Sequence, residues 1–196
     1  MTARIAWMLS LALVPVAATS CGRSAMSRFY TLRSTAAVDG SPSASYAVVV
    51  GPVSIPASVD RPEFVVQVAP NRVAVDEFNR WAAPLDDSIA RAVAGDLEVL
   101  LGTPRVATAP AANFDPAYRV TIDVQRFESV AGQGVLVDAV WAVRGPKGRL
   151  RSGRTVARET VQDKSFDGLA AAHSRALATL SSDIAAAIRA EAAARS

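Results

Sequence analysis

The sequence predicts an α+β fold, with a mostly antiparallel sheet and two amphipathic helices packed on one face of it. Segments rich in β-branched and aromatic residues fall into two groups, and a region of 3.6-residue apolar periodicity follows each group. The chain has 196 residues, and residues 46–196 are predicted to form one domain that the first strand joins. A domain of roughly 150 residues buries about 70% of its unfolded surface, so it can fold without a disulfide or a metal ion.

The first group of strands is predicted between residues 28 and 75. The aromatic segment 28–33 (RFYTLR) predicts the first strand, and the Ser-, Gly-, Pro- and Ala-rich residues 34–45 predict an exposed, flexible linker. Residues 46–50 (YAVVV) predict the next strand, which continues in extended form through 53–56. Residues 64–68 (FVVQV), followed by a turn and by Val73 and Val75, predict a hairpin.

The first helix begins where the apolar period changes from 2 to 3.6. Pro84 fits the first helical position, and Asp86 and Asp87 suit the positive end of the helix dipole. Gly102 followed by Pro104 ends the helix. Its apolar stripe contains Leu85, Ile89, Val93, Leu97 and Leu100.

A three-stranded meander and a second helix complete the domain. Residues 105–108 predict a short strand. Apolar and polar residues alternate cleanly from Tyr118, which predicts a half-buried antiparallel strand. Residues 135–143 and the Arg-rich 150–161 predict the two strands that follow. The last helix has Asp167 as its expected cap and an apolar row of Leu169, His173, Leu177, Leu180, Ile184 and Ile188.

The N-terminal region is typical of a lipoprotein signal. Arg4 supplies a positive charge, residues 5–18 are apolar but too short to span a bilayer, and Ser20 precedes Cys21. Cys21 is the only cysteine, so it has no disulfide partner within the chain. Residues 1–20 are therefore predicted to be a lipoprotein signal peptide, and residues 21–45 to contain the lipidated N-terminus, the first strand and the linker. The alternatives are a soluble secreted protein, an uncleaved anchor and a buried structural cysteine.

Acylation of Cys21 would fix the protein to a membrane. Each buried CH₂ contributes about 0.8 kcal/mol, so two or three acyl chains hold a protein essentially permanently. Gly22 follows the cysteine. By similarity to Gram-negative lipoproteins, this residue implies the outer membrane, with the domain facing the periplasm.

The sequence contains little that could perform catalysis. The chain has one histidine, His173, whose place on an apolar row favours a structural role at the edge of the core. A single imidazole and a single cysteine cannot make a Cys-His zinc site. Asp86 and Asp87 point in different directions on a helix. A net charge of +3 argues against nucleic-acid binding. We therefore predict no enzymatic activity, no cofactor and no metal site.

Two features leave structural and functional interpretations open. A run of basic residues on and before the last strand either protects a sheet edge or faces anionic headgroups or an acidic partner; it contains Arg144, Lys147, Arg149, Arg151, Arg154 and Arg158. Trp81 and Trp141 are large aromatics of the kind that anchor cores and interfaces.

Several stretches resemble the auxiliary lipoproteins of ABC-type transporters, the PqiC-like family. They are 29–32 (FYTL), 48–56 (VVVGPVSIP), 59–65 (VDRPEFV), 81–85 (WAAPL), 118–127 (YRVTIDVQRF) and 137–141 (VDAVW). Together they extend over nearly all of the predicted domain, and none of them is catalytic.

The resemblance implies a non-enzymatic subunit of an intermembrane lipid transport system of the mammalian-cell-entry type. Its partners would be a mammalian-cell-entry type protein, an ABC permease and an ATPase. The chain would dock or cap the periplasmic conduit at the outer membrane, bound to outer-membrane lipid through acylated Cys21, and would form a homo-oligomer. Candidate partner or subunit contacts are Asp60, Arg61, Pro62, Trp81, Arg151 and Arg154.

Two other functions remain as alternatives. A monomeric lipid-binding or envelope-stabilising lipoprotein would need an apolar pocket. A cell-wall hydrolase would need acidic residues that converge in a cleft.

Overall fold

The computed structural model describes residues 26–194, so the predicted signal peptide and Cys21 lie outside the described residues. The described part contains eight strands and two α-helices. They are β1 (Arg28–Tyr30), β2 (Val48–Ser54), β3 (Glu63–Ala69), β4 (Arg72–Trp81), α1 (Leu85–Leu101), β5 (Val106–Thr108), β6 (Tyr118–Val130), β7 (Gly134–Arg144), β8 (Leu150–Thr160) and α2 (Phe166–Ala193).

The α+β class is confirmed, and the eight strands form one mixed sheet. The β3–β4 hairpin and the β6–β7–β8 meander are antiparallel, and these pairs hold most of the paired residues. Parallel pairs join β1 to β4, β2 to β5 and β2 to β6. The parallel pairs bring together strands that are distant in sequence, which the local pattern did not indicate.

The sheet forks at β6. One edge of β6 pairs with β7 along its whole length. Its other edge pairs with β2 as far as Asp123 and meets β3 at a single position, where Gln67 faces Val130. Strand β6, the first strand of the meander, therefore joins the meander to the β3–β4 hairpin and to the β2–β5 pair.

Both helices lie on the same side of this sheet. On β6 the buried face carries Tyr118, Val120, Ile122 and Val124, and the last three are in register with buried residues of β7. Helix α1 packs on β2 and β5, α2 packs on β7 and β8, and the two helices contact each other. The predicted packing of both helices on one face is therefore confirmed.

Helix α1 is confirmed with a small correction at its start. Pro84 precedes the helix as its N-cap and does not occupy the first helical position; its carbonyl accepts the N–H of Ser88 at 3.0 Å. Gly102 ends the helix in the left-handed conformation, with φ of +61°. A side chain there would approach Ser43, so glycine suits both the backbone and the space.

Helix α2 is confirmed, but its predicted cap is wrong. The Oγ of Ser165 accepts the Gly168 N–H at 2.9 Å and caps the helix, whereas Asp167 lies inside the first turn. There the carboxylate still faces the positive end of the helix dipole. Among the described residues, no helix is both long and apolar enough to cross a membrane.

An aromatic cluster joins β1, β3 and β4 to the start of α2. Trp81 is the last residue of β4, is 5% exposed and stacks on Phe64 with ring centroids 4.3 Å apart. Tyr30 and Phe166 pack on Phe64 at 5.7 and 5.1 Å. Trp141 is also in the core, where its Nε1–H donates to Thr155 Oγ1 at 3.1 Å.

We expect Trp81→Ala to lower the free energy of unfolding by about 3–5 kcal/mol, because it removes a buried ring that stacks on Phe64 and leaves a cavity in the core. Urea denaturation of the domain from residue 22 onward measures the loss. Phe29→Ala is the control, because that ring is 64% exposed and its removal leaves no cavity. A loss below about 1 kcal/mol for Trp81→Ala would contradict a core role.

Candidate functional site

The candidate partner contacts are distributed over the surface and the core. Asp60, Arg61 and Pro62 are exposed in the loop between β2 and β3. Backbone hydrogen bonds fix this turn: Asp60 N–H donates to the carbonyl of Pro56 at 3.2 Å, and Trp81 N–H donates to that of Pro62 at 2.7 Å. Within residues 26–194 no ion pair joins Asp60 to Arg61. The two charged side chains therefore do not hold the turn together.

The Trp81 side chain is not part of that exposed turn. Its indole belongs to the aromatic cluster described above, so in the isolated chain it presents almost no surface. Trp81 supports the loop from beneath, because its backbone N–H binds Pro62.

Arg151 and Arg154 lie on opposite faces of β8. Residues three apart in a strand point to opposite sides. The Nε of Arg151 donates to Glu191 of α2 at 3.0 Å, whereas Arg154 faces away from the helices and makes two bonds to Asp138, at 2.8 and 2.7 Å. The basic run is therefore not one surface.

Two arginines in the middle of the run fix the end of α2. Arg149 and Arg151 both form salt bridges with Glu191, at 2.8 and 3.0 Å, and the Glu191 side chain is only 3% exposed. A buried carboxylate needs such partners, because burial of an unpaired charge is costly. These arginines join the turn before β8 to the last turns of α2.

Arg154 and Arg158, the last two residues of the run, belong to an outer charged cluster around Asp138. The Asp138 side chain is 4% exposed, although it lies on the face of β7 that points away from the helices. Hydrogen bonds from Arg154, together with the charges of Arg154, Arg126 and Arg158, hold the pKa of Asp138 below its ordinary value. This cluster presents arginine side chains to solvent beside the exposed Val140 and Val156.

A third buried carboxylate, Asp96, binds the segment that follows β1. Asp96 is fully buried in α1. Its Oδ1 accepts Ser34 Oγ–H at 2.8 Å and the backbone N–H groups of Thr35 and Ala36 at 2.8 and 2.9 Å, and its Oδ2 accepts Ser181 Oγ–H at 3.0 Å. One side chain thus connects the N-terminal segment to both helices.

Further bonds continue along the region expected to be a flexible linker. Residues 34–45 have no regular secondary structure and are mostly exposed. Arg189 of α2 binds Asp39 at 2.9 Å, and Ala44 N–H donates to the carbonyl of Leu101 at 2.8 Å. The segment therefore lies against the helices at several points along its length.

Sequence reasoning missed the roles of Asp96 and Asp138. Asp96 directly precedes Leu97 of the apolar stripe and lies among buried residues of α1, so an ionisable group at that position was a usable signal. Asp138 follows the alternation of its strand, and its outward position was predictable. Its burial depends on arginines from neighbouring strands, which the local pattern cannot show.

His173 is a core residue. Its ring is fully buried and stacks on Phe127 with centroids 3.8 Å apart, and its Nε2 is 2.8 Å from Ser129 Oγ. Burial lowers the pKa of His173 to about 3, so the ring is neutral at physiological pH. Within residues 26–194, no three His, Cys, Asp or Glu side chains are placed to hold a metal ion.

Comparison with known proteins identifies related sequences and folds. Residues 30–185 match the family model described as ABC-type transport auxiliary lipoprotein component. The fold is similar to protein XCC0632 from Xanthomonas campestris, with a TM-score of 0.71 and 21% identity over 87% of this chain and 100% of that one. An uncharacterized protein has a TM-score of 0.69 and 19% identity, over 84% of this chain and 99% of that one. No curated protein sequence matches the chain.

We expect Asp96→Ala to lower the free energy of unfolding by about 2–4 kcal/mol, because it removes a charged acceptor from four donors. Amide hydrogen exchange at Thr35 and Ala36 should accelerate in the same variant. The control is Asp87→Ala, an exposed change on the same helix that should cost less than about 1 kcal/mol. Unchanged exchange at residues 35 and 36 would show that Asp96 does not hold the segment.

Proposed function

The chain belongs to the family of ABC-type transport auxiliary lipoprotein components, and on that premise we propose that it is a non-enzymatic outer-membrane subunit of an intermembrane lipid transport system. In this proposal the domain docks or caps the periplasmic conduit of a mammalian-cell-entry type system at the outer membrane. The family match carries the proposal, because it extends from β1 to α2 and so includes nearly the whole described domain.

The anchor is the first component of the proposal. Cys21 carries the acyl chains, and only six residues separate it from Arg28, the first residue of β1. The segment after β1 is bound to α1 and α2 through Asp96 and Arg189. A short connection of this kind keeps the domain close to the membrane.

Surface contacts are the second component. Three side chains with shifted pKa values have structural partners: Asp138 is paired with Arg154, Asp39 is paired with Arg189, and His173 is stacked in the core. The exposed Asp60–Arg61–Pro62 turn and the outer arginine cluster are available for contacts with transport components or with further copies of the chain. We propose a homo-oligomeric assembly that uses such surfaces.

A monomeric lipid-binding lipoprotein is the second candidate. One observation favours it, an apolar groove between β3 and β6 lined by Val59, Val65, Val73 and Phe127. The groove encloses about 170 Å³, whereas pockets for drug-sized ligands measure about 300–1,000 Å³. The family match therefore makes the docking function the better supported of the two.

The anchor is tested by metabolic labelling. Labelled palmitate should enter the full-length protein and not Cys21→Ala, because the proposed attachment atom is the Cys21 Sγ. Equal labelling of the two proteins would contradict the anchor. The variant domain should still fold, since every packing contact described above lies at or after residue 26.

The docking surface is tested by Arg61→Glu. In-cell crosslinking to the transport components should fall by about 30-fold or more if Arg61 joins a buried interfacial pair, since disrupting such a pair costs about 2–5 kcal/mol. Arg91→Glu is the matched control, because it reverses the same charge at an exposed position of α1. This variant should crosslink as the wild type does. Full complementation and crosslinking by Arg61→Glu would remove this turn from the interface.

A further inference from the structure

Exposed apolar side chains concentrate at one end of the molecule. Within residues 26–194, the large exposed apolar residues elsewhere are few: Val38 and Leu150 stand singly, and Val140 and Val156 are diagonal neighbours on the outer face of β7 and β8. The remaining exposed apolar residues lie on the β3–β4 hairpin and at the start of β1, and we call them the hairpin patch. They are Met26, Phe29, Val68, Val73, Val75 and Phe78. An exposed apolar surface of this kind marks a protein or membrane contact.

The hairpin projects beyond the core. On β3, Phe64 and Val66 are buried, but Val68 is exposed, although all three alternate along the same strand. On β4 every residue from Arg72 to Val75 is exposed. The outer half of the hairpin therefore has solvent on both faces.

A local bulge in β4 fixes the position of Phe78. The pairing shifts between Glu63, which faces Arg80, and Phe64, which faces Asp76. The Asp76 Oδ1 accepts the backbone N–H groups of Phe78 and Asn79, at 3.0 and 2.9 Å. Bulges of this kind re-aim side chains, and this one leaves Phe78 45% exposed.

The anchor segment enters the domain beside this patch. Strand β1 runs parallel to β4, with Arg28 opposite Asn79, so the chain enters β1 from the side of the hairpin turn. Seven residue steps join Cys21 to Arg28, and a chain spans at most about 3.6 Å per step, which limits the distance to about 25 Å. The hairpin from Asn79 to Arg72 is about 23 Å long at 3.3 Å per residue. The turn of the hairpin and an acylated Cys21 can therefore reach the same membrane.

The opposite end of the domain lies beyond that reach. Tyr30 packs near Phe166 at the start of α2, with ring centroids 6.1 Å apart. Glu191 is 25 residues farther along the same helix, or about 38 Å at 1.5 Å per residue. Arg149 and Arg151, which bind Glu191, flank the exposed Leu150. Leu150 therefore lies farther from the entry of the anchor segment than the 25 Å connection spans, whereas the hairpin patch lies beside that entry.

We propose that the hairpin patch rests on the lipid surface in which Cys21 is anchored, with Phe29, Val73 and Phe78 entering the interface between headgroups and acyl chains. This inference rests on the proposed acylation of Cys21. Arg72, at the turn, reaches the phosphate groups with its guanidinium while its stem stays with the apolar side chains. The domain then stands with the Glu191 end, and its basic turn, directed away from the membrane.

The test uses full-length, acylated protein in phosphatidylethanolamine and phosphatidylglycerol vesicles that contain acyl-chain-brominated phosphatidylcholine. Single variants Val73→Cys, Phe78→Cys and Leu150→Cys are labelled with an environment-sensitive fluorophore. Cys21 is the only natural cysteine and is blocked by the lipid, so labelling is specific. Leu150 is a matched control, because it is 59% exposed and Val73 is 57% exposed.

We expect bromine quenching at residues 73 and 78 that places the fluorophores about 5–10 Å below the headgroup surface, and none at residue 150. Equal, weak quenching at all three positions would overturn the proposal. So would disulfide crosslinking between copies through residues 73 and 78, which would assign the patch to self-association. If the protein floats with the vesicles but residues 73 and 78 are not quenched, the anchor stands and this proposal alone fails. A protein that does not float overturns both.

A second set of variants separates lipid contact from folding. Quenching of a fluorophore at Phe29→Cys should fall when Val73→Ser and Phe78→Ser are added, because the apolar contact is lost. The control pair is Val140→Ser with Val156→Ser, which removes equally exposed valines from the outer face of the meander. Both serine pairs should unfold at the same temperature as the Phe29→Cys variant to which they are added. Unchanged quenching in the hairpin pair would contradict the proposed contact.

Discussion

Burial of α2 is the constraint on which the rest of this domain depends. The helix places Leu169, Leu177, Leu180, Ile184 and Ile188 against the sheet and α1, and none of these side chains is more than 1% exposed. It contacts β1, β6, β7, β8 and α1, so the first strand, the meander and the other helix are fixed to one element. Loss of that apolar contact would separate α2 from both the sheet and α1.

Polar contacts along α2 set the position of this helix relative to the sheet. Arg175 binds Glu159 near the start of α2, Asp183 accepts Thr155 in the middle, and Glu191 binds two arginines at the end. Apolar packing is non-directional, whereas these charge-assisted bonds have fixed geometry and so select one register of the helix on the sheet. The rigid arrangement that results gives the domain two well-separated ends.

This separation suits the proposed role of the domain as a subunit between a membrane and a protein conduit. The hairpin and the entry of the anchor segment lie together at one end, and the turn before β8 lies at the other end with the last turn of α2. A subunit that joins a membrane to a protein conduit needs distinct surfaces for each, held at a constant distance. The Asp60–Arg61–Pro62 loop lies between these ends, where the Trp81 backbone supports it.

The sequence by itself determined the elements of this protein. The 3.6-residue period located α1 and α2, the alternation of apolar residues located the hairpin and the meander, and Gly102 marked the end of α1, because these signals arise from backbone geometry within a few residues. Tertiary structure decided which distant segments meet. It chose Ser165 over Asp167 as the cap, paired β1 and β2 in parallel with strands far along the chain, and gave Asp96 and Asp138 their partners. No local pattern encodes such contacts, because their stability depends on groups that become neighbours only when the whole core is packed.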